Sequence, residues 1–174
     1  SKLASIGDGA FAKCTSLISL VAPDNLFHIG NWSFAGASNL QFAFVSGNLI
    51  QLGYGAFAGT VSLRAIIFAR PVDDNLLGLT GFTHIGEGTF GGASSLTQIS
   101  IPNGITHIER RAFTNNLALQ RVDLPNTIQC VKEDAFSSTN TLQDLSFFHP
   151  QVLDDEGLEV PLTINEVVQR YSSC

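Results

Sequence analysis

His84, His107 and Cys130 recur at one constant interval, and imidazole with thiolate is the donor pair both of zinc sites and of Cys-His nucleophiles. Each chemistry needs convergence. Tetrahedral coordination requires side chains arriving from several directions, and a nucleophile requires an orienting third group and a pocket. A straight column of evenly spaced residues supplies neither, so the pattern is expected to be a ladder of solvated polar side chains, with no catalytic residue, metal or cofactor. Gly86-Glu87-Gly88-Thr89-Phe90-Gly91 spells G-x-G-x-x-G, yet no strand-turn-helix unit surrounds it and Phe90 belongs to a hydrophobic column, so a dinucleotide site is not expected. Asn31-Trp32-Ser33 fits a glycosylation sequon, but Ser33 falls in a column of small residues and modification there is not expected.

The chain that positions these groups has 174 residues, 44% apolar and only 14% charged, which excludes a disordered tail and implies a buried core. Nine basic against 15 acidic residues, with no basic run longer than Arg110-Arg111, leave no footprint for a nucleic-acid backbone or an anionic membrane surface. No stretch approaches the roughly 18 apolar residues of a membrane span, and no signal peptide is visible. Since Met is absent, the chain is expected to be processed or a piece of a longer one.

A repeat organises most of the sequence. An aliphatic residue is followed five positions later by Phe and six positions after that by Leu: Ile6, Phe11, Leu17; Ile29, Phe34, Leu40; Leu52, Phe57, Leu63; Ile85, Phe90, Leu96; Ile108, Phe113, Leu119; Val131, Phe136, Leu142. The Phe column steps by 23, except from Phe57 to Phe90, where the step is 33 and an insertion lies within positions 69–81. The residue before each Phe is small or short (Ala10, Ser33, Ala56, Thr89, Ala112, Ala135), which lets neighbouring units approach closely. After each Leu comes an alternating strand pattern, as in Ile99-x-Ile101-Pro102, and a second extended piece carries Leu26, Leu49, Phe82, Ile105 and Ile128. Gly7, Gly30, Gly53 and Gly86 suit a bend into a short helical turn bearing the Phe.

A 23-residue unit cannot bury an aromatic ring and several aliphatic side chains alone, so successive coils must stack and share one core. The expected fold is an α/β repeat solenoid: a right-handed superhelix of about six 23-residue coils, with a parallel sheet on one face and short helical turns. Stacked strands lie about 4.8 Å apart, which places His84, His107 and Cys130 on consecutive coils. Residues 1–148 form the solenoid. Residues 149–174 form a cap or tail, where Thr163 and Glu166 stand at capping-box spacing before a short helix ending at Tyr171.

At Ile101-Pro102, Ile105, Ile108, Ala112-Phe113 and Leu119 the sequence resembles the BspA-like branch of the leucine-rich repeat proteins, over about residues 3 to 148. Cys14 occupies that family's Cys position, where Ala37, Thr60, Ala93, Asn116 and Thr139 stand in the other units; Glu109 and Lys132 replace its Gly. The resemblance implies a non-catalytic ligand-binding or adhesive solenoid, on the cell surface or secreted. It carries over no catalytic residues.

Strand residues that flank the central core position point outward. Units one to three place Ser19, Val21, Phe42, Phe44, Ala65 and Ile67 there, whereas units four to six place Gln98, Ser100, Arg121, Asp123, Asp144 and Ser146. Exposed Phe42, Phe44 and Ile67 on neighbouring strands make an apolar patch of the kind that marks contacts, so a protein partner is expected at Val21, Phe42, Phe44, Ala65 and Ile67. The competing account is a strand frame slipped by one residue, or an insertion folded over the patch. Arg70, Asp73 and Asp74 of the insertion are further candidates for partner contact, because regular coils position a loop that interrupts them. The function expected is a protein-binding module; the alternative is a structural subunit within a larger assembly, which would cover the bare first coil.

Three Cys residues are too few and odd in number for a disulfide framework. Cys14 and Cys130 are separated by more than four coils, about 20 Å, beyond the reach of a bridge. Both are expected to be unpaired, with Cys174 free for a partner chain.

Overall fold

Phe11, Phe34, Phe57, Phe90, Phe113 and Phe136 stack ring on ring, with successive centroids 5.1–5.7 Å apart and planes within 17° of parallel. From Phe34 to Phe113 the rings are completely buried. Around this spine the chain winds as a β-solenoid. The computed structural model describes residues 3–68, 81–142, 144–148 and 164–174, with the side chains of 144–148 and 164–165 outside that description.

Each coil contributes two strands. The longer ones are β2 (Ser19–Val21), β4 (Phe42–Val45), β6 (Ala65–Phe68), β8 (Gln98–Ser100), β10 (Arg121–Pro125) and β12 (Asp144–Phe148). The shorter are β1 (Ser5–Ile6), β3 (His28–Ile29), β5 (Gln51–Leu52), β7 (His84–Ile85), β9 (His107–Ile108) and β11 (Cys130–Val131). Among the described residues every strand pairing is parallel, and partners are the repeat equivalents of one another: Ser19, Phe42 and Ala65 lie abreast, as do Ile85, Ile108 and Val131. Four three-stranded sheets result there, β1-β3-β5 and β7-β9-β11 along one side, β2-β4-β6 and β8-β10-β12 along another. Both rows break between the third and fourth units, the site of the insertion. The turns bridge that break. Gly55, Phe57 and Gly59 donate their N–H groups to the carbonyls of Glu87, Thr89 and Gly91 at 2.9, 2.9 and 2.7 Å.

Two features of the expected fold are corrected. The second extended piece is itself a sheet row, so sheets line two sides rather than one face. The segments carrying Phe are not helical, and helix among the described residues is confined to α1 (Ile164–Tyr171). The turns are closed by bonds such as Ala12 N–H to Gly9 C=O at 3.0 Å and Cys14 N–H to Phe11 C=O at 3.2 Å. Helix cannot propagate there because left-handed residues recur four positions apart: Gly9 and Lys13, Trp32 and Gly36, Gly55 and Gly59, Gly88 and Gly92, Arg111 and Asn115.

Two of the glycines expected to make the bend, Gly30 and Gly53, have a different job. A Cβ on Gly30 would strike Asp8 and Gly7, and one on Gly53 would strike Gly30 and Asn31. They permit close approach of backbone to backbone, and the positive φ values fall two residues later.

α1 packs against β11, burying Val167 completely and setting Val168 and Tyr171 against the core. The helix expected up to Tyr171 is present; Thr163, its proposed cap, lies outside the described residues.

Candidate functional site

The strand frame does not slip. In β4 the core positions are Ala43 and Val45, each 1% exposed, while Phe42 and Phe44 stand outside at 42% and 46%. A strand turns alternate side chains to opposite faces, so fixing Ala43 inside fixes both Phe residues outside. On the flanking strands Val21 is 74% and Ile67 49% exposed, with Val21, Phe44 and Ile67 in register across three strands. Ala65 is half-buried beside Phe42. The sequence-derived residues of this face are therefore brought together. Arg70, Asp73 and Asp74 lie outside the described residues, as does any course the insertion takes over the patch.

The same face changes character along the axis. Past the sheet break, Gln98, Ser100 and Arg121 are exposed and Asp123 is half-buried. Arg121 Nε lies 2.7 Å from Asp123 Oδ1, and Ser100 Oγ donates to Asp123 Oδ2 at 2.8 Å. The Asp123 carboxylate gathers its neighbours into a polar cluster, whereas the first three coils present hydrocarbon and aromatic surface.

The His and Cys column lies on the shorter strands. The His84 and His107 rings stack with centroids 4.4 Å apart and planes within 16°. The Nδ1 atoms pair with the hydroxyls of the preceding threonines, Thr83 and Thr106, each at 2.7 Å. Burial, and next the neighbouring His84, push the His107 pKa below its ordinary 6.5. The column does not continue as a solvated ladder. Cys130 is completely buried under α1 and disulfide-bonded to Cys174, with Cα atoms 5.9 Å apart. This corrects the expectation of unpaired Cys130 and Cys174: the helix folds back over β11 and carries the terminal residue to its partner. Cys14 is exposed and is the free thiol. Among the described residues no cluster of three or more His, Cys, Asp or Glu could hold a metal, and no helix is long and apolar enough to cross a membrane.

Two surface aromatics escape a reading built on core columns. Trp32 is 54% and Tyr54 58% exposed. Trp32 has φ +54° in a column that is glycine at positions 9, 55 and 88, and a bulky residue among those glycines is the signal that would have found it.

The family described as BspA type leucine rich repeat region matches the chain in six copies, over residues 1–75 and 79–153. No curated protein matches it. Among solved structures, a leucine rich cell surface protein from Faecalibacterium prausnitzii is similar, with a TM-score of 0.68 and 26% identity over 76% of this chain and 32% of that one. A leucine-rich repeat protein from Bacteroides ovatus shares the fold, with a TM-score of 0.55 and 21% identity over 87% of this chain and 45% of that one. The chain thus spans less than half of either neighbour.

Proposed function

We propose a protein-binding function, and the premise is that the chain belongs to the BspA-type leucine-rich repeat family. The molecule acts as a non-catalytic, adhesin-like module that holds a protein partner on the face of β2, β4 and β6. One observation carries this reading: Phe42, Phe44 and Ile67 are nearly half exposed on adjacent strands, although the same strands bury their alternate residues. Contiguous apolar surface of this kind favours association, because covering it removes it from water. Insertion residues Arg70, Asp73 and Asp74, which follow β6 in sequence, belong to the same proposed contact. A surface or secreted setting is part of the proposal, supported by the similarity to a cell surface protein. So are the right-handed winding, the count of six coils, and the division into a solenoid to residue 148 with a cap beyond it.

The experiment is the double substitution Phe42→Ser, Phe44→Ser. Both side chains lie outside the core, so stability should change by less than about 1 kcal/mol, while proximity cross-linking to proteins of native surface extracts loses the bands seen with the wild type. Equal cross-linking, or a collapse of the thermal midpoint, overturns the proposal.

A further inference from the structure

Where β5 and β7 fail to pair, a cleft of about 430 Å³ opens between the third and fourth units. Asn31, Gln51, Tyr54 and His84 supply its polar wall, and Ile50 and Phe82 its apolar one; no Asp, Glu, Lys or Arg is among its described lining residues.

A ladder of side-chain oxygens ends at the same junction. Asp8 Oδ1 accepts the N–H of Asn31 at 2.7 Å, and Asn31 Oδ1 accepts the N–H of Tyr54 at 2.9 Å, so a side-chain oxygen ties each coil to the next. Tyr54 has no such oxygen near its backbone, and the ladder stops. Its ring instead lies over the fourth unit, where a Cβ on Gly86 would stand 2.8 Å from Tyr54 Cδ1. Trp32 is held in the same way, since a Cβ on Gly55 would strike its indole. Trp32 is the chain neighbour of Asn31, and Gly55 of Tyr54. Two exposed aromatic rings are thus backed by glycines: Tyr54 lines the cleft, and Trp32 follows its lining residue Asn31 in the chain but stands outside the lining. Trp32 keeps the left-handed backbone that Gly9, Gly55, Gly88 and Arg111 adopt at the same turn position.

We propose that this cleft binds a neutral saccharide. Tyr54 offers a π-face to the apolar C–H face of a pyranose ring in the cleft, a longer saccharide extends toward Trp32 outside it, and the fixed backing of the rings lowers the entropy lost on binding. The Gln51 carboxamide, the Asn31 Nδ2 and the Tyr54 hydroxyl face ligand hydroxyls as donors and acceptors. The His84 Nδ1 is engaged with Thr83, which leaves Nε2 for the ligand. Among the described lining residues none is charged, which disfavours phosphates, nucleotides and acidic peptides there, since their charge would be left unpaired.

Trp32 is the only tryptophan of the chain, so its fluorescence reports on this region alone. The whole protein is titrated with cellotetraose, maltotetraose, mannotetraose and N-acetylchitotetraose, and with tetragalacturonate as the charged comparator, by fluorescence and calorimetry. At least one neutral tetrasaccharide binds saturably and shifts Trp32 emission, Tyr54→Ala weakens it about tenfold, and Tyr54→Phe, which keeps the ring, retains it. Phe42→Ser, Phe44→Ser leaves saccharide binding intact, which separates this site from the protein-binding face. No binding at millimolar concentration, a preference for tetragalacturonate, or equal affinity in Tyr54→Ala overturns the proposal.

Discussion

Phe57 and Phe90 stack with centroids 5.7 Å apart although the insertion separates them in sequence and makes theirs the longest step along the spine. β6 ends at Phe68, and past the insertion Phe82 is buried in the core and Ile85 lies in register with Ile108. Phe57→Ala removes a fully buried ring in contact with both Phe34 and Phe90. It should lower the unfolding free energy by about 3–5 kcal/mol, measured as a shift in urea midpoint, and a loss below about 1 kcal/mol would mean that the spine does not bear the packing.

The Cys130–Cys174 bond closes 44 residues of sequence and pins α1 over β11. Cys174→Ser should therefore destabilise the protein by about 2–4 kcal/mol and speed amide exchange around Val131 and Val167. The native oxidised chain should show one thiol to a sulfhydryl reagent, Cys14. A second reactive thiol without reduction would contradict the pairing.

His107 has a folded pKa lowered from 6.5, so the unfolded state binds more protons in the interval between the lowered value and 6.5. Its contribution is fully present above pH 6.5 and is lost as pH falls through that interval. Urea midpoints should drop as the solution is taken from neutral to mildly acidic pH, and His107→Gln should flatten that part of the profile. A profile unchanged by the substitution would assign the pH dependence elsewhere.

Ser138 has φ +58° in the column that holds Gly36, Gly59 and Gly92. Ser138→Gly should stabilise by up to about 1 kcal/mol, and Gly59→Val should destabilise by about 1–2 kcal/mol or more. Thermal midpoints of the two variants moving in the same direction would contradict the strain argument.

The register of the repeat is legible in the sequence because hydrophobic periodicity reports burial directly: the columns of Phe34 and Leu40 and the alternation around Ala43 are set by which side chains leave water. The exposed Phe42 and Phe44 follow from the same alternation. The turns are less legible. A glycine that avoids a clash and a glycine that allows positive φ look alike in sequence, so Gly30 and Gly36 take different jobs only once neighbouring coils are in place. The Cys130–Cys174 bond is hidden because the stacking distance governs contacts between coils and says nothing of a helix folding back across them. Tyr54 and Trp32 lie outside the core columns, and the cleft lies where two strands fail to pair, which hydrophobic periodicity does not report.

In a linear array of stacked units, stability is the sum of what each unit holds and what each junction holds, and the weakest junction decides where the array parts. Both sheet rows are interrupted after β5 and β6, so the halves are joined by the shared core, the aromatic stack and the turn bonds without continuous strand pairing. That junction, which lacks strand pairing, is expected to be the weakest. The first partly unfolded species on the way to denaturation should be half-molecules divided at the middle, rather than a rod fraying inward from its tips.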